Sequence, residues 1–481
     1  MLPMPTAAEL LPLMPEIVLA LGAFALLMLD LLLDDARRAV TWIASIALLL
    51  AVAWMSFAGI GGQGAVLSGM FVRDPMSDAL DAGACVLVAL ALVYAWPYLR
   101  ERGLAKGEVA VMMLFATLGM MLLISAGSLV MVYLGLEMLA LSSYALVAID
   151  RDNPIASEAA MKYFVLGSLA SGLLLYGMSL LYGATGTLDL ATLRAAVAVA
   201  GSSETGLLLA GTVFMIAGIA FKFGAAPFHM WVPDTYQGAP TPITLFIGSA
   251  PELASFALAF RLLENGVGPL DDRWRLLIAG LAAASLAVGN LIALMQANLK
   301  RMLAYSAISH IGFVFLGLAG GGAEGYAAAM FYVIVYAIMS AAAFGAIVAM
   351  SSRGFEAEGI DDFKGLNQRD PWLAGLMLCV MFSMAGIPPF LGFWAKLAVL
   401  RATVQGDMMW LAIVGIVFAV IGCFYYLRVL KAMYFDPPPE GAPAPRADRP
   451  VRIALAVNAL ALLVLGLFWN PLMAWCLRSF T

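Results

Sequence analysis

Fourteen apolar runs of about 20 residues divide the sequence, and this repetition constrains the fold more than any other feature. Each run is long enough to cross a hydrocarbon core as a helix. The runs show no strand-like alternation, and lipid offers no partner for free backbone groups. We therefore predict an all-α polytopic membrane protein with spans at about 15–33, 39–58, 76–98, 107–125, 128–149, 157–183, 206–229, 241–263, 275–297, 301–319, 325–350, 373–400, 408–434 and 451–473.

Composition supports one membrane domain over residues 1–481 and excludes several other classes. The chain is 63% hydrophobic and 12% charged, and no hydrophilic stretch is long enough for a soluble domain. The formal net charge of −5 gives no reason to expect a nucleic-acid partner. The four cysteines are scattered without metal-ligand spacing, so no metal site is expected. No amphipathic segment is predicted after the last span.

The distribution of lysine and arginine predicts the orientation. Seventeen of the 26 basic residues lie in or beside the odd-numbered connections, from 1–2 to 13–14, and seven lie in the even-numbered connections or termini. Since basic loops stay in the cytoplasm, both termini are expected on the non-cytoplasmic side. No basic residue precedes the first run, so we expect that run to be retained and not cleaved as a signal peptide.

Two spans contain prolines that interrupt a helix. Pro227 lies in span seven, and Pro388 and Pro389 lie in span twelve. Aligning Pro227-Phe228 with Pro389-Phe390 displaces the chain by five spans, an odd number, so a second copy would run inverted. The pattern predicts an N-terminal unit (1–106), a first repeat of spans 4–8 (107–263), a second repeat of spans 9–13 (274–434) and a final helix (451–473). Two unrelated proline kinks are the alternative.

Five ionisable residues are predicted near mid-membrane depth on five different spans: Glu137, Lys222, Glu252, His310 and Lys396. A charge at the bilayer centre costs roughly 2.5–3.5 kcal/mol on insertion scales, so such residues usually serve function. Glu137 is the expected partner that keeps Lys222 charged, and separating the two would release a proton. The alternatives are a static buried ion pair and a scaffold whose charges serve only helix packing.

Other polar residues are weaker candidates for this relay. Ser306 and Ser309 accompany His310 on span ten, where that histidine either passes protons or bonds a neighbouring helix. His229 and Asp234 follow the break at Pro227, where they either join the relay or satisfy freed backbone groups. Lys162, at the cytoplasmic end of span six, is expected at the membrane interface, with an entry role as the alternative.

Four segments carry a resemblance to a known family. FKFGAAPFHMWVPDTYQGAPTPIT, EAAMKYFVLGSLASGLLLYG, NLKRMLAYSAISHIG and GIPPFLGFWAK resemble the subunit N family of respiratory complex I, the proton-translocating NADH:quinone oxidoreductase. The resemblance covers essentially all fourteen spans. DTYQGAPTP is similar to this family more than to its paralogues M and L, and no long lateral helix of the L type follows.

The resemblance implies an antiporter-like translocase subunit that pumps protons in the bacterial inner membrane, driven by quinone reduction elsewhere. It implies no cofactor on this chain; FMN, iron–sulfur clusters and quinone would belong to other subunits. The implied partners are the membrane-arm subunits M, K, J and A. Glu137, Lys222, His310 and Lys396 match the family's buried residues. A subunit of a multi-subunit cation/proton antiporter or membrane-bound hydrogenase is the alternative, because those complexes share this module.

Glu252 departs from the family pattern. The family commonly has a lysine after the proline that corresponds to Pro251, and this chain has a glutamate. The sign of the charge is therefore reversed at the expected link between the two repeats. A carboxylate can still relay protons, but the order of charging cannot be carried over from the family.

Overall fold

The computed structural model describes residues 10–34, 37–440 and 447–481. These residues form twenty α-helices and one small β-hairpin: α1 (Met14–Asp30), α2 (Ala39–Phe57), β1 (Gly64–Val66), β2 (Phe71–Arg73), α3 (Pro75–Glu101), α4 (Gly107–Ile124), α5 (Leu129–Val147), α6 (Pro154–Thr185), α7 (Leu190–Ala198), α8 (Ser202–Phe223), α9 (Trp231–Gly238), α10 (Thr241–Ile247), α11 (Ala250–Phe260), α12 (Asp271–Ala293), α13 (Leu299–Gly320), α14 (Gly322–Met350), α15 (Leu366–Arg369), α16 (Pro371–Ala385), α17 (Leu391–Gln405), α18 (Met409–Phe435), α19 (Arg449–Leu467) and α20 (Asn470–Arg478).

The membrane-spanning character predicted from the sequence is confirmed. Within the described ranges, thirteen helical segments are long and apolar enough to cross a membrane. The predicted span twelve is divided between α16 and α17, which are each 15 residues long. The core lies around α13, α14 and the α10–α11 segment, which are buried on nearly every face. The more exposed faces of the outer helices are apolar, as lipid or neighbouring helices require.

Both predicted breaks are present, and they share one backbone pattern. The helices α8 and α16 end at glycines in the left-handed conformation, Gly224 with φ of 67° and Gly386 with φ of 83°. The next amide bonds back into the last turn in each case, Ala225 to Ala220 at 2.8 Å and Ile387 to Phe382 at 3.0 Å. This cap satisfies carbonyls that the ended helix leaves free. In each break the third residue after the glycine is a proline that follows a cis peptide bond, Pro227 in the first and Pro389 in the second.

Span eight is also broken, although the sequence indicates interruptions only in spans seven and twelve. The helix α10 ends at Ile247 and α11 begins at Ala250, so the span is broken two residues before Glu252. The Ser249 hydroxyl donates to the Leu245 carbonyl at 2.6 Å, replacing part of the helical bonding that is lost there. Pro251, which has no backbone N–H, then occupies the first turn of α11. A π-helical turn, Arg261–Gly266, ends the segment.

The end of the chain also differs from the prediction. The last span was expected over 451–473 with no further segment, but α19 ends at Leu467 and the short helix α20 follows. Pro471 in the first turn of α20 explains the division, because a proline is tolerated at a helix start and not in its interior.

The second helices of the two predicted repeats, α5 and α13, are anchored alike. Ser128 and Asn298 are the N-caps of α5 and α13, and their side chains accept from the amides of Met131 at 3.2 Å and Arg301 at 2.9 Å. Each capping residue also forms an isolated β-bridge, Ser128 with Asp189 and Asn298 with Gly359. The two bridges have equal separations along the chain and join corresponding connections.

The odd-numbered connections meet at one end of the helix bundle. Glu356, from connection 11–12, accepts from Tyr98 and Arg102 near connection 3–4, both at 2.8 Å. Glu358 pairs with Lys300 of connection 9–10 at 3.3 Å. The structure thus groups the loops that the basic-residue count assigns to one side.

Candidate functional site

Lys222 occupies the last turn of α8, immediately before the break at Gly224. It is half-buried beside a small cavity between α5, α6 and α8, which Tyr144, Tyr163 and Trp231 also line. The indole of Trp231 stacks on Tyr163 with ring centroids 4.6 Å apart and donates to the Phe221 carbonyl at 2.9 Å. The aromatic wall therefore fixes the end of the half-helix that carries the lysine.

The expected pairing of Lys222 with Glu137 is not a direct ion pair. Within the described residues, no lysine nitrogen lies within 4 Å of the Glu137 carboxylate, and Glu137 Oε1 is buried without a hydrogen-bond partner. Glu252 and Glu137 are both within electrostatic range of Lys222. Both glutamates thus lie near the Lys222 ammonium group, and neither forms a direct ion pair with it.

Glu252 is 5% exposed and lies in the first turn of α11. Its Oε2 atom has no partner among the described residues. The missed break explains how a carboxylate fits here, since the free amides of a helix N-terminus favour negative charge. Glu252, which departs from the family pattern, therefore lies at a helix N-terminus that favours its negative charge.

His310 is the centre of a buried hydroxyl network. Its Nδ1 lies 2.9 Å from the Tyr332 hydroxyl and its Nε2 lies 3.0 Å from the Tyr426 hydroxyl. Tyr426 is also 2.5 Å from the Ser306 hydroxyl. The imidazole stacks on Tyr336 at 5.0 Å. The histidine thus has a hydroxyl on each nitrogen, which is an arrangement that can pass a proton through the ring.

Ser309 belongs to a second, adjoining network. Its hydroxyl accepts from the Asn290 amide at 2.7 Å, and the Asn290 carbonyl oxygen accepts from Tyr425 at 3.1 Å. Both predicted serines therefore contact polar partners, but only Ser306 is connected to His310 through a single hydroxyl.

Lys396 lies on α17 and reaches back across the second break. Its ammonium group donates to the carbonyls of Met384 and Ala385, both at 2.9 Å, at the end of α16. It also lies 5.3 Å from the centroid of Phe313, one turn beyond His310 on α13. Lys396 therefore caps a broken helix and faces the helix that carries the histidine.

The accessory residues separate into two groups. Asp234 bonds Lys162 at 2.8 Å and Arg301 at 2.9 Å, joining α6, α9 and α13 beside a cavity of about 150 Å³. Burial alone would raise the pKa of Asp234, but the hydrogen bonds and charges of these two cations outweigh it and lower that pKa. His229 does not join this cluster, and its Nδ1 is buried without a hydrogen-bond partner in the described part of the chain.

Sequence reasoning missed the tyrosines and Arg301. Tyr332 and Tyr426 lie on spans whose aromatic residues have no pattern that separates packing from hydrogen bonding. Arg301 is part of a basic pair in connection 9–10 and was counted only for orientation. The sequence does show one usable signal, which is that Tyr425-Tyr426 places two hydroxyls together inside an apolar run.

The chain matches a known family over more than half of its length. The family described as NADH:quinone oxidoreductase/Mrp antiporter, transmembrane, matches residues 126–422. The NADH-quinone oxidoreductase subunit N of Xanthomonas euvesicatoria pv. vesicatoria is 65% identical over 476 residues, with 99% of this chain and 97% of that protein covered.

The chain belongs to the family of NADH-quinone oxidoreductase subunit N. It is therefore an antiporter-like membrane subunit of complex I.

Solved structures agree with this family. A chain of respiratory complex I from Thermus thermophilus with bound aureothin superposes with a TM-score of 0.82 at 30% identity, covering 96% of this chain and 98% of that one. A chain of the archaeal membrane-bound sulfane sulfur reductase superposes with a TM-score of 0.84 at 26% identity, covering 98% and 96%. The fold is thus shared between complex I and other respiratory membrane complexes.

Proposed function

We propose that this subunit translocates protons through a relay of Glu137, Lys222, Glu252, His310 and Lys396. The observation that carries the proposal is the hydroxyl network on both nitrogens of His310, because packing alone does not require a buried imidazole bonded on each side. Lys222, Glu252 and Lys396 supply titratable groups on helices that flank the three breaks, and Glu137 supplies one on α5. Quinone reduction drives the process from other subunits, and this chain contributes no redox centre.

The relay runs through two inverted repeats in this proposal. Residues 107–263 and 274–434 form the repeats, residues 1–106 precede them and the last span follows. The matching glycine caps at Gly224 and Gly386 and the matching bridges of Ser128 and Asn298 support this division. Repeated breaks are typical of transporters whose site lies between inverted halves.

The assembly is proposed from the family. The neighbours are the membrane-arm subunits M, K, J and A, and FMN, iron–sulfur clusters and quinone belong to other subunits of the complex. The subunit lies in the bacterial inner membrane with both termini on the non-cytoplasmic side, as the basic connections indicate.

Glu252 gives this relay an unusual charge balance in its first half. Glu252 and Glu137 both lie within electrostatic range of the Lys222 ammonium group. Protonation of Glu252 therefore weakens its electrostatic attraction to the Lys222 ammonium group, and deprotonation strengthens that attraction. Glu252 stands where a lysine is expected. A lysine is charged when it carries the proton, whereas Glu252 is charged when it has released the proton.

Substitution of Lys222 and Glu137 tests the relay. In the intact complex, Lys222→Ala and Glu137→Ala are expected to leave assembly intact and to lower coupled quinone reductase activity and proton pumping by roughly tenfold or more, because a relay lacking one group transfers protons slowly. Lys431→Ala, which removes an exposed lysine, is the matched control. Full turnover and full pumping in both relay variants would exclude the assignment.

A subunit of a cation/proton antiporter or another respiratory membrane complex is the second candidate. The fold shared with the sulfane sulfur reductase favours it. Affinity purification of this chain from its native membrane decides between them, since copurified FMN and iron–sulfur subunits with NADH oxidation indicate complex I. Copurification with antiporter subunits alone would support the second candidate.

A further inference from the structure

A second group of buried charges lies outside both repeats, where the first and third spans meet the β-hairpin. Arg73 ends β2, Asp78 and Asp81 lie on α3, and Glu16 lies on α1. Glu16, Arg73 and Asp81 are each 3% exposed. No part of the proposed relay involves these residues.

The hydrogen bonds of Arg73 leave one nitrogen without a partner. Its Nε donates to Asp78 Oδ1 at 2.7 Å, and its Nη1 donates to the carbonyls of Pro12 at 3.2 Å and Ile60 at 2.6 Å. Its Nη2 is buried and finds no acceptor among the described residues. Asp78, which also accepts from Gln63 at 3.0 Å, is therefore the carboxylate that Arg73 neutralises.

Glu16 and Asp81 have no such cation. Glu16 Oε2 and Asp81 Oδ1 are both buried without a hydrogen-bond partner in residues 10–34, 37–440 and 447–481. Neither carboxylate forms an ion pair within 4 Å in those ranges. Pro12 and Asp78 both accept hydrogen bonds from the Arg73 guanidinium. Glu16 lies one helical turn after Pro12, and Asp81 lies one turn after Asp78. Two neighbouring carboxylates are thus buried together, and one oxygen atom of each has no hydrogen-bond partner among the described residues.

The other charges around this pair do not balance it. Asp78, Arg73 and Asp74 also interact with Asp81, and Arg73 and Asp78 interact with Glu16. Asp74 itself is bonded to Arg261 at 2.7 Å, so its charge is already compensated. The remaining titratable group, the Cys85 thiol, is fully buried on α3 and brings no positive charge.

We propose that Glu16 and Asp81 hold one proton between them at neutral pH and form a proton-binding site outside the two repeats. Two like charges that share a buried site cannot both be ionised, so the second carboxylate takes a proton from water. The proton becomes an O–H group on one carboxyl, which can donate to the other carboxylate. This supplies the donor that both unbonded oxygens lack.

Asp81 is the carboxyl that carries the proton. Glu16 lies in the first turn of α1, where free backbone amides favour its charged form. Asp81 lies within α3, away from the helix N-terminus and one turn after the carboxylate of Asp78. The pair is therefore asymmetric, with Glu16 as the acceptor.

Infrared spectroscopy of the intact purified complex tests this site directly. The carbonyl stretch of a protonated carboxyl at neutral pH is expected to be present in the wild type and absent from Asp81→Asn. In Glu16→Gln the stretch is expected to remain but to disappear at a lower pH, by about one pH unit or more, because the neighbouring negative charge has been removed. Asp272→Asn, which alters an exposed carboxylate, is the matched control.

Two results would overturn the proposal. One is an Asp81→Asn spectrum identical to that of the wild type, and the other is a Glu16→Gln titration unchanged from the wild type. If Asp81→Asn does not assemble, the Glu16→Gln titration decides alone. The readout does not depend on proton pumping, so failure of the proposed relay would leave it intact.

Discussion

At the scale of single residues, the buried ionisable groups differ in how the chain holds them. Lys396 is bonded to two carbonyls, and His310 is bonded to two hydroxyls. Lys222 has no hydrogen bond of this kind within the described residues, and it lies between two glutamates that do not contact it directly. In the first half of the proposed relay Lys222 is thus without hydrogen bonds to the described residues, whereas in the second half His310 and Lys396 each make two.

This difference predicts unequal costs for removing the two lysines. Lys396→Met leaves the carbonyls of Met384 and Ala385 without their donor, which is expected to destabilise the subunit by roughly 1–3 kcal/mol. Lys222→Met breaks no such bond and is expected to destabilise it less. Thermal unfolding of the intact complex, compared between the two variants, measures this order. Equal stability of the two variants would show that the capping bonds of Lys396 contribute little.

Tyr426 gives a residue-level test of the His310 network. Tyr426→Phe removes the hydroxyl that joins Ser306 to Nε2 of His310, so proton pumping is expected to fall by roughly tenfold or more. Tyr425→Phe is the matched control, because that neighbouring hydroxyl bonds Asn290 instead. Proton pumping in inverted vesicles compares the two. A larger loss in Tyr425→Phe would place the path through Asn290 and Ser309.

At the scale of helices, the sequence predicted the two breaks at Pro227 and Pro389. It did not predict the third break, between α10 and α11, which depends on more than a proline. Pro227 and Pro389 interrupt their spans because a missing amide and a rigid ring act locally. The break before Glu252 depends on Ser249 and on the packing of α10, and neither has a local signature. The helix that carries each buried charged residue was predictable from hydropathy. Their partners, such as Tyr332 and Tyr426, come from distant spans and were not.

The glycine caps of the two breaks are expected to resist substitution. Gly224→Ala and Gly386→Ala place a side chain at positive φ, and the added methyl groups would contact Val232 and, at 2.8 Å, Cδ of Lys396. Each is expected to destabilise the subunit by about 1 kcal/mol or more. Gly172→Ala, in the open interior of α6, is expected to be neutral or slightly stabilising. Thermal unfolding of the complex with each variant checks this, and equal effects at all three sites would contradict it.

The ion pairs of Asp234 predict a pH-independent contribution across the neutral range. Its pKa is lowered, so the stabilisation is complete above the ordinary carboxyl range and is lost only as the pH falls below it. Asp234→Asn is therefore expected to lower stability by an equal amount at pH values of about 5 and about 8, by roughly 1 kcal/mol or less because the side chains are partly exposed. Unfolding measured at both values tests this. A difference that disappears at the lower value would show that the pKa is not lowered.

At the scale of the whole molecule, charge organises the two ends of the bundle differently. The odd-numbered connections meet through ion pairs such as Lys300–Glu358 and Arg102–Glu356. The opposite end holds the pairs Arg261–Asp74 and Arg73–Asp78, together with the Glu16 and Asp81 carboxyls. Because the helices between the two ends are apolar, the buried groups of the proposed relay are the ones through which we expect protons to pass from one end to the other.

The proposed orientation follows from the basic residues of the odd-numbered connections and has a direct test. Arg151, in connection 5–6, and Asp272, in connection 8–9, are both exposed and lie at opposite ends of the bundle. In intact cells, a membrane-impermeant maleimide is expected to label Asp272→Cys and to label Arg151→Cys only after permeabilisation. The wild-type protein, whose Cys85 and Cys476 are buried, measures the background. Labelling of Arg151→Cys alone in intact cells would invert the orientation, and it would place the Glu16–Asp81 site at the cytoplasmic end.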